Sequence, residues 1–168
     1  MNIDLIINKI IPPSDREHRD GFDNTVYIDE LSDDENAQLE DKLIAMLSDA
    51  IDLDYLVVES LEYLKSDKAL AELHKKLTDD LSSMDILVLA SSIFMIIKDN
   101  EMINLAISSF KKMDNPADPY YKYGLIPGFY YLSKFSAPAT NDLIKSYISH
   151  KDYLVSYNAK RYYNGTLS

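Results

Sequence analysis

The feature that most constrains the fold is a helix opening that recurs along the chain. Asp54-Tyr-Leu-Val57, Asp85-Ile-Leu-Val88 and Asp152-Tyr-Leu-Val155 each set an aspartate before a large apolar residue and Leu-Val. A degenerate copy, Lys122-Tyr-Gly-Leu125, stands between the last two. The openings begin at 54, 85, 122 and 152, with spacings of 31, 37 and 30 residues. Their apolar periodicity predicts helices ending near Lys65, Lys98, Lys134 and Asn164. Second amphipathic segments follow the first three, over 68–78, 100–113 and 137–149. Short turns such as Ser66-Asp67, Asp99-Asn100 and Ser136-Ala-Pro138 separate the pairs, and Pro138 suits a first helical turn. Pro127 falls inside the third opening helix and is expected to kink it.

A hairpin of two amphipathic helices cannot bury both apolar faces alone. Stacking successive hairpins supplies a continuous core, so helical pairs recurring every thirty-odd residues point to an all-α solenoid. Four glycines and six prolines in 168 residues leave few breakers, which favours long helices. Ser32-Asp-Asp-Glu35 reads as a capping box opening a further helix, with Leu39, Leu43, Ile44 and Leu47 on its apolar face. The pattern predicts an irregular segment over 1–31 and a repeat domain over 32–168, within a single domain. In the segment, 2–11 reads as a short helix or strand ended by Pro12-Pro13, and 14–29 as loop. Leu73 and Ile107 are expected in one core between successive hairpins.

Charge is unevenly spread. The net is −11, but residues 1–81 hold 21 acids and 8 bases, and residues 82–168 hold 7 acids and 9 bases. Nine carboxylates and no lysine or arginine fall between residues 20 and 41. Such a surface repels a phosphate backbone, which argues against nucleic acid as a partner. It attracts a basic protein and speeds its association. A solvated acidic face that only aids solubility is the plainer alternative. The apolar run over 86–97 is too short to span a bilayer, and the start of the chain lacks the pattern of a signal peptide. A cytoplasmic protein with no membrane partner is expected.

No residue set assembles chemistry. His18, His74 and His150 lack metal-ligand spacing, and there is no cysteine. The clusters Asp49, Asp52, Asp54 and Asp33, Asp34, Glu35 lack the glycine and closing glutamate of a calcium loop, and helix caps explain them better. No glycine-rich phosphate loop or Gly-x-Ser-x-Gly elbow occurs. Asn164-Gly-Thr166 fits a glycosylation sequon that a cytoplasmic chain would not use. A non-enzyme without metal or cofactor follows. Tyrosine is unusually frequent: thirteen occur, ten of them between 120 and 163. Tyr130, Tyr131, Tyr147 and Tyr153 suit gaps between hairpins, whereas the loop-proximal Tyr120, Tyr121 and Tyr123 suit an interface.

The segment Asp54-Tyr-Leu-Val-Val-Glu-Ser-Leu-Glu-Tyr-Leu-Lys-Ser-Asp-Lys-Ala-Leu-Ala-Glu-Leu73 resembles a HEAT-like repeat. It has the leading aspartate, the aliphatic stripe, the short turn and the Ala-Leu opening of a second helix. The likeness covers about residues 32–164 and departs most at Gly124, Pro127 and the tyrosines of the third unit. It implies a short right-handed α-solenoid of antiparallel hairpins. Small acidic proteins of this kind resemble bacterial immunity proteins of contact-dependent growth inhibition and other polymorphic toxin systems. That resemblance implies a toxin inhibitor acting by protein–protein interaction, its basic partner a toxin domain. Acids exposed beside the apolar stripes would make the contact: Glu40, Asp41, Glu59, Glu62, Glu72, Asp79 and Asp80. A HEAT-like adaptor or scaffold for a host-cell protein is the alternative. A DNA-acting HEAT-like enzyme comes third, because the chain lacks tryptophan and its first half is acidic.

Overall fold

The computed structural model describes residues 3–14, 16–19, 21–78 and 80–163. Among them the chain is all-α, with eleven α-helices and no strand. It forms two compact units, Met1–Lys75 and Lys76–Ser168. The division between them falls near residue 75.

The first unit contains α1 (Ile3–Ile10), α2 (Arg16–Arg19), α3 (Thr25–Asp29), α4 (Asp33–Asp49) and α5 (Tyr55–Tyr63). A 3-10 turn, Asp67–Ala69, leads into α6 (Leu70–Lys76). The stretch expected to be irregular is therefore largely helical. α1 packs against α3 and α4 and buries Ile6, Ile7 and Ile10, while α3 buries Ile28. The capping box of α4 is present: Ser32 Oγ accepts from the Glu35 amide, and the Glu35 carboxylate accepts from the Ser32 amide. Leu39, Leu43 and Leu47 are buried along α4, and Ile44 is half-buried. α5 is enclosed on most sides, with Val57, Val58, Ser60, Leu61 and Glu62 buried, and Leu73 of α6 is fully buried.

Polar groups lock this unit together. The Arg19 guanidinium donates to both Asp54 oxygens at 2.7 and 2.9 Å, and to the carbonyls of Pro12 and Pro13 at 2.7–3.1 Å. The buried Asn24 amide donates to the Ile10 carbonyl at 3.2 Å and to Ser60 Oγ at 2.7 Å. α1, the approach to α3 and the middle of α5 are thereby tied at one point.

The second unit contains α7 (Ser83–Ile97), α8 (Glu101–Met113), α9 (Tyr121–Ser133), α10 (Pro138–Ser146) and α11 (Tyr153–Tyr163). α9 packs against α7 on one side of the sequence and α11 on the other, α8 packs against α7 and α10, and α10 packs against α9 and α11. Aromatic side chains fill its interior. Phe110 lies 5.1 Å from Phe129 between ring centroids, and Tyr147 meets both edge-on. Phe94 lies 4.7 Å from Phe135. Gly128 admits this packing, because a Cβ there would stand 2.8 Å from Phe110 Cε2. Pro127 lies within α9, and Pro138 occupies the first turn of α10, as the sequence predicts.

Two details of the repeat emerge only in the structure. Lys65, Lys98 and Ser136 share left-handed φ values of 53°, 57° and 48°, just beyond α5, α7 and α9. This conformation closes a helix end at a small steric cost for a non-glycine residue. The repeated aspartates, by contrast, are not equivalent. Asp54 accepts from the Leu56 amide and Asp152 from the Leu154 amide, each as a helix cap. Asp85 sits a turn inside α7, where Ser82 takes the capping role and accepts from the Asp85 amide at 3.1 Å. A capping hydroxyl three residues earlier lets α7 start sooner.

Candidate interaction surface

The acids expected to meet a partner are dispersed, and several are already engaged. Glu40 and Asp41 on α4 both pair with Lys68, at 3.0 and 3.4 Å. Glu40 is the stronger influence in holding the Lys68 ammonium above its ordinary pKa. Glu72 pairs with Lys75 one turn along α6 at 3.2 Å. Glu59 is half-buried and Asp80 exposed, while Asp79 lies outside the described residues. Glu62 corrects the expectation of an exposed acid: only 9% of it is accessible. α5 is apolar on nearly every side, so a helical wheel does not separate its inner from its outer face.

The unengaged negative charge lies elsewhere on the first unit. Glu30, Asp33, Asp34, Asp49 and Asp52 are exposed, and none makes an ion pair among the described residues. Residues 1–75 carry 19 acids and 7 bases, a net of −12, whereas residues 76–168 carry 9 acids and 10 bases, a net of +1. Nearly all of the imbalance therefore belongs to one compact unit.

The tyrosines belong to the other unit. Tyr120 and Tyr123, at the start of α9, are 70% and 63% exposed, with ring centroids 6.3 Å apart. Tyr121 is half-buried and packs toward His150 at 6.3 Å. Between α9 and α11, the Lys122 ammonium meets the Asp152 carboxylate at 3.2 Å. That hydrogen bond leads the influences holding Asp152 below the usual carboxylate range. Directly beyond it, Tyr153 and Tyr157 stack at 6.0 Å, exposed beside Leu154. Tyr153 thus faces solvent and does not fill a gap between hairpins, whereas Tyr131 and Tyr147 are buried. Sequence reasoning misses Tyr157 because α11 buries only Val155 and Ala159, too narrow a stripe to orient the remaining side chains.

His150 Nδ1 accepts from the Asp152 amide at 3.0 Å, a structural bond at the head of α11. Among the described residues, no group of three or more His, Cys, Asp or Glu side chains could hold a metal ion. Nor is any described helix long and apolar enough to cross a membrane. The glycosylation sequon beginning at Asn164 lies outside the described residues.

Set against protein-family models, curated proteins and solved structures, the chain matches none of them.

Proposed function

We propose that this chain is a protein-binding module of HEAT-like helical hairpins, and specifically an immunity protein that neutralises a basic bacterial toxin. The observation that carries this reading is the placement of charge. A net of −12 in 75 residues, beside a second unit near neutrality, is more than solubility asks of a small domain. Confined to one unit, it forms a directional field that steers a cationic protein to one part of the surface. Binding there would cover the toxin's active site or its substrate path in the cytoplasm, with no chemistry by the inhibitor.

The hairpin reading draws support from the packing of the second unit. α7, α9 and α11 adjoin in sequence order, as do α8 and α10, which is the adjacency of stacked antiparallel pairs. The shared left-handed residue after α5, α7 and α9 supports it further. The tyrosine face of the second unit favours a second reading, an adaptor or scaffold, since rigid aromatic side chains suit many protein partners.

The deciding experiment is co-expression with the toxin domains encoded in the same genome, followed by binding measurements on the purified pair. The expected result is restored growth with a basic toxin and association that slows steeply as salt rises. Absence of protection and of binding with every basic toxin domain tested would overturn the immunity reading.

A further inference from the structure

One of the two short helices that sequence patterning misses, α3, presents a face that folding does not account for. Ile28 points into the core, 1% exposed, and anchors α3 on α1. On the solvent side Val26 is 55% exposed and Tyr27 39%, two large apolar side chains on a helix of five residues. Glu30 follows Val26 by four residues and Tyr27 by three, so the three share a face.

The surroundings extend this patch with aromatic and negative groups. Phe22 stacks on Tyr27 with ring centroids 6.2 Å apart. Tyr63, from the end of α5, is 43% exposed and donates its hydroxyl to Asp29 Oδ1 at 2.7 Å. That bond, then partial loss of water and the charges of Asp29 and Asp23, raises the Tyr63 phenol above its usual pKa. Asp23 opens the approach to α3 by accepting from the Thr25 amide and hydroxyl at 2.9 and 2.7 Å. Asp23, Asp29 and Glu30 make no ion pair among the described residues, and residues 20–41 contain no lysine or arginine.

We infer that the outer face of α3, formed by Asp23, Val26, Tyr27 and Glu30 with Tyr63 and Asp29 beside it, docks a lysine- and arginine-rich amphipathic segment of a basic protein. The inference rests on the proposed function and locates its contact surface. An apolar centre between carboxylates suits long cationic side chains in particular. Their aliphatic stems cover Val26 and Tyr27, their charged heads reach Asp23, Asp29 and Glu30, and the tyrosine rings offer cation–π faces. Acidic or neutral segments leave the carboxylates without partners.

The test uses the full chain, labelled with 15N, and two synthetic helical peptides. Both carry a leucine stripe, one flanked by lysines and the other by glutamates. The lysine peptide should shift the amide resonances of residues 22–30 and Tyr63, and the glutamate peptide should not. Val26→Ser with Glu30→Lys should weaken the lysine peptide about tenfold or more. Asp52→Lys, also exposed and in the same unit, should change affinity less than about twofold despite the same change of net charge as Glu30→Lys. Shifts centred elsewhere, or equal weakening by Asp52→Lys, would overturn the inference. A cellular arm separates this inference from the function it rests on. If the chain protects cells from a basic toxin and the double variant protects fully, the α3 face is excluded and the immunity reading stands. Peptide binding at α3 without protection from any basic toxin has the opposite consequence: the surface stands and the immunity reading falls.

Discussion

The two compact units are held together by different materials. The second has helices of 15, 13, 13, 9 and 11 residues and a set of interlocked aromatic rings. The first begins with helices of 8, 4 and 5 residues, lengths that are marginal without tertiary support. Its aliphatic core is supplemented by side-chain bonds that bridge distant segments, Arg19 to Asp54 and Asn24 to Ser60. A chain can therefore fix short, poorly periodic helices with a few directional polar bonds, and longer ones chiefly with packing.

The sharpest way to break that comparison is to remove packing from the second unit. Phe110 is fully buried against Phe129 and Tyr147. Phe110→Ala should cost about 3–5 kcal/mol, through lost burial and the cavity left behind. Gly128→Ala tests the same contact from the other side. Its new methyl group would press on Phe110 Cε2 at 2.8 Å and Cδ2 at 2.9 Å. Overpacking of this kind costs about 1–3 kcal/mol, less at most ~1 kcal/mol regained in helix propensity. Urea unfolding measures both, and a loss below about 0.5 kcal/mol for Phe110→Ala would show that the rings do not hold the unit.

The counterpart in the first unit is Asp54→Asn. Burial alone raises the Asp54 carboxyl, but the Arg19 hydrogen bonds and charge, with the Leu56 and Val57 amides, outweigh it and hold the group below its usual pKa. Its folded pKa therefore lies under the unfolded value. The stabilisation is present above about pH 4 and disappears as pH falls through the folded value. Asp54→Asn should cost about 2 kcal/mol at neutral pH, since it leaves the guanidinium without its charged partner. The gap from wild type should narrow in acid. A gap of the same size at both pH values would assign the loss to altered packing and not to the ion pair.

What is legible in the sequence divides along the same line. The starts of α5, α7, α9, α10 and α11 follow from apolar periodicity and caps, because long helices repeat their stripe often enough to be seen. α3 is not legible. Only Val26 and Ile28 are aliphatic in the five residues of α3, and its stability comes from burial of Ile28 and the bonds of nearby Asn24 to residues 14 and 36 positions away. The candidate site suffers from the same limit. Glu40 and Asp41 read as free acids because Lys68 reaches them only through the folded geometry, whereas the Glu72–Lys75 pair is a local one, three residues apart on α6. Glu62 reads as exposed because its charge is the only cue to its position in so apolar a helix. The excess of charge over residues 20–41 is visible, but its exposed face has no helix to attach to.

The smallest expected effect sharpens the comparison most, because one chemical bond occurs in both units. Tyr147 and Tyr63 each donate a hydroxyl to an aspartate at 2.7 Å, Tyr147 to Asp114 and Tyr63 to Asp29. Tyr147 is 9% exposed and Tyr63 43%. Burial, then the Asp114 hydrogen bond and charge, pushes the Tyr147 phenol far above its ordinary range. With a folded pKa above the unfolded one, its stabilisation is complete below about pH 10 and declines as pH rises beyond that. Tyr147→Phe should therefore cost about 1 kcal/mol at neutral pH, because a partly buried carboxylate loses a donor. Tyr63→Phe should leave the urea midpoint unchanged, since water replaces the lost hydroxyl at an exposed Asp29. Its effect should appear instead in binding, as weaker capture of a basic peptide at the α3 face. Equal losses of stability in the two variants would mean that the Tyr63 bond helps to hold the first unit. Tyr63 would then act there as a structural clasp, like Arg19 and Asn24, and its place in a docking surface would have to be argued from binding alone.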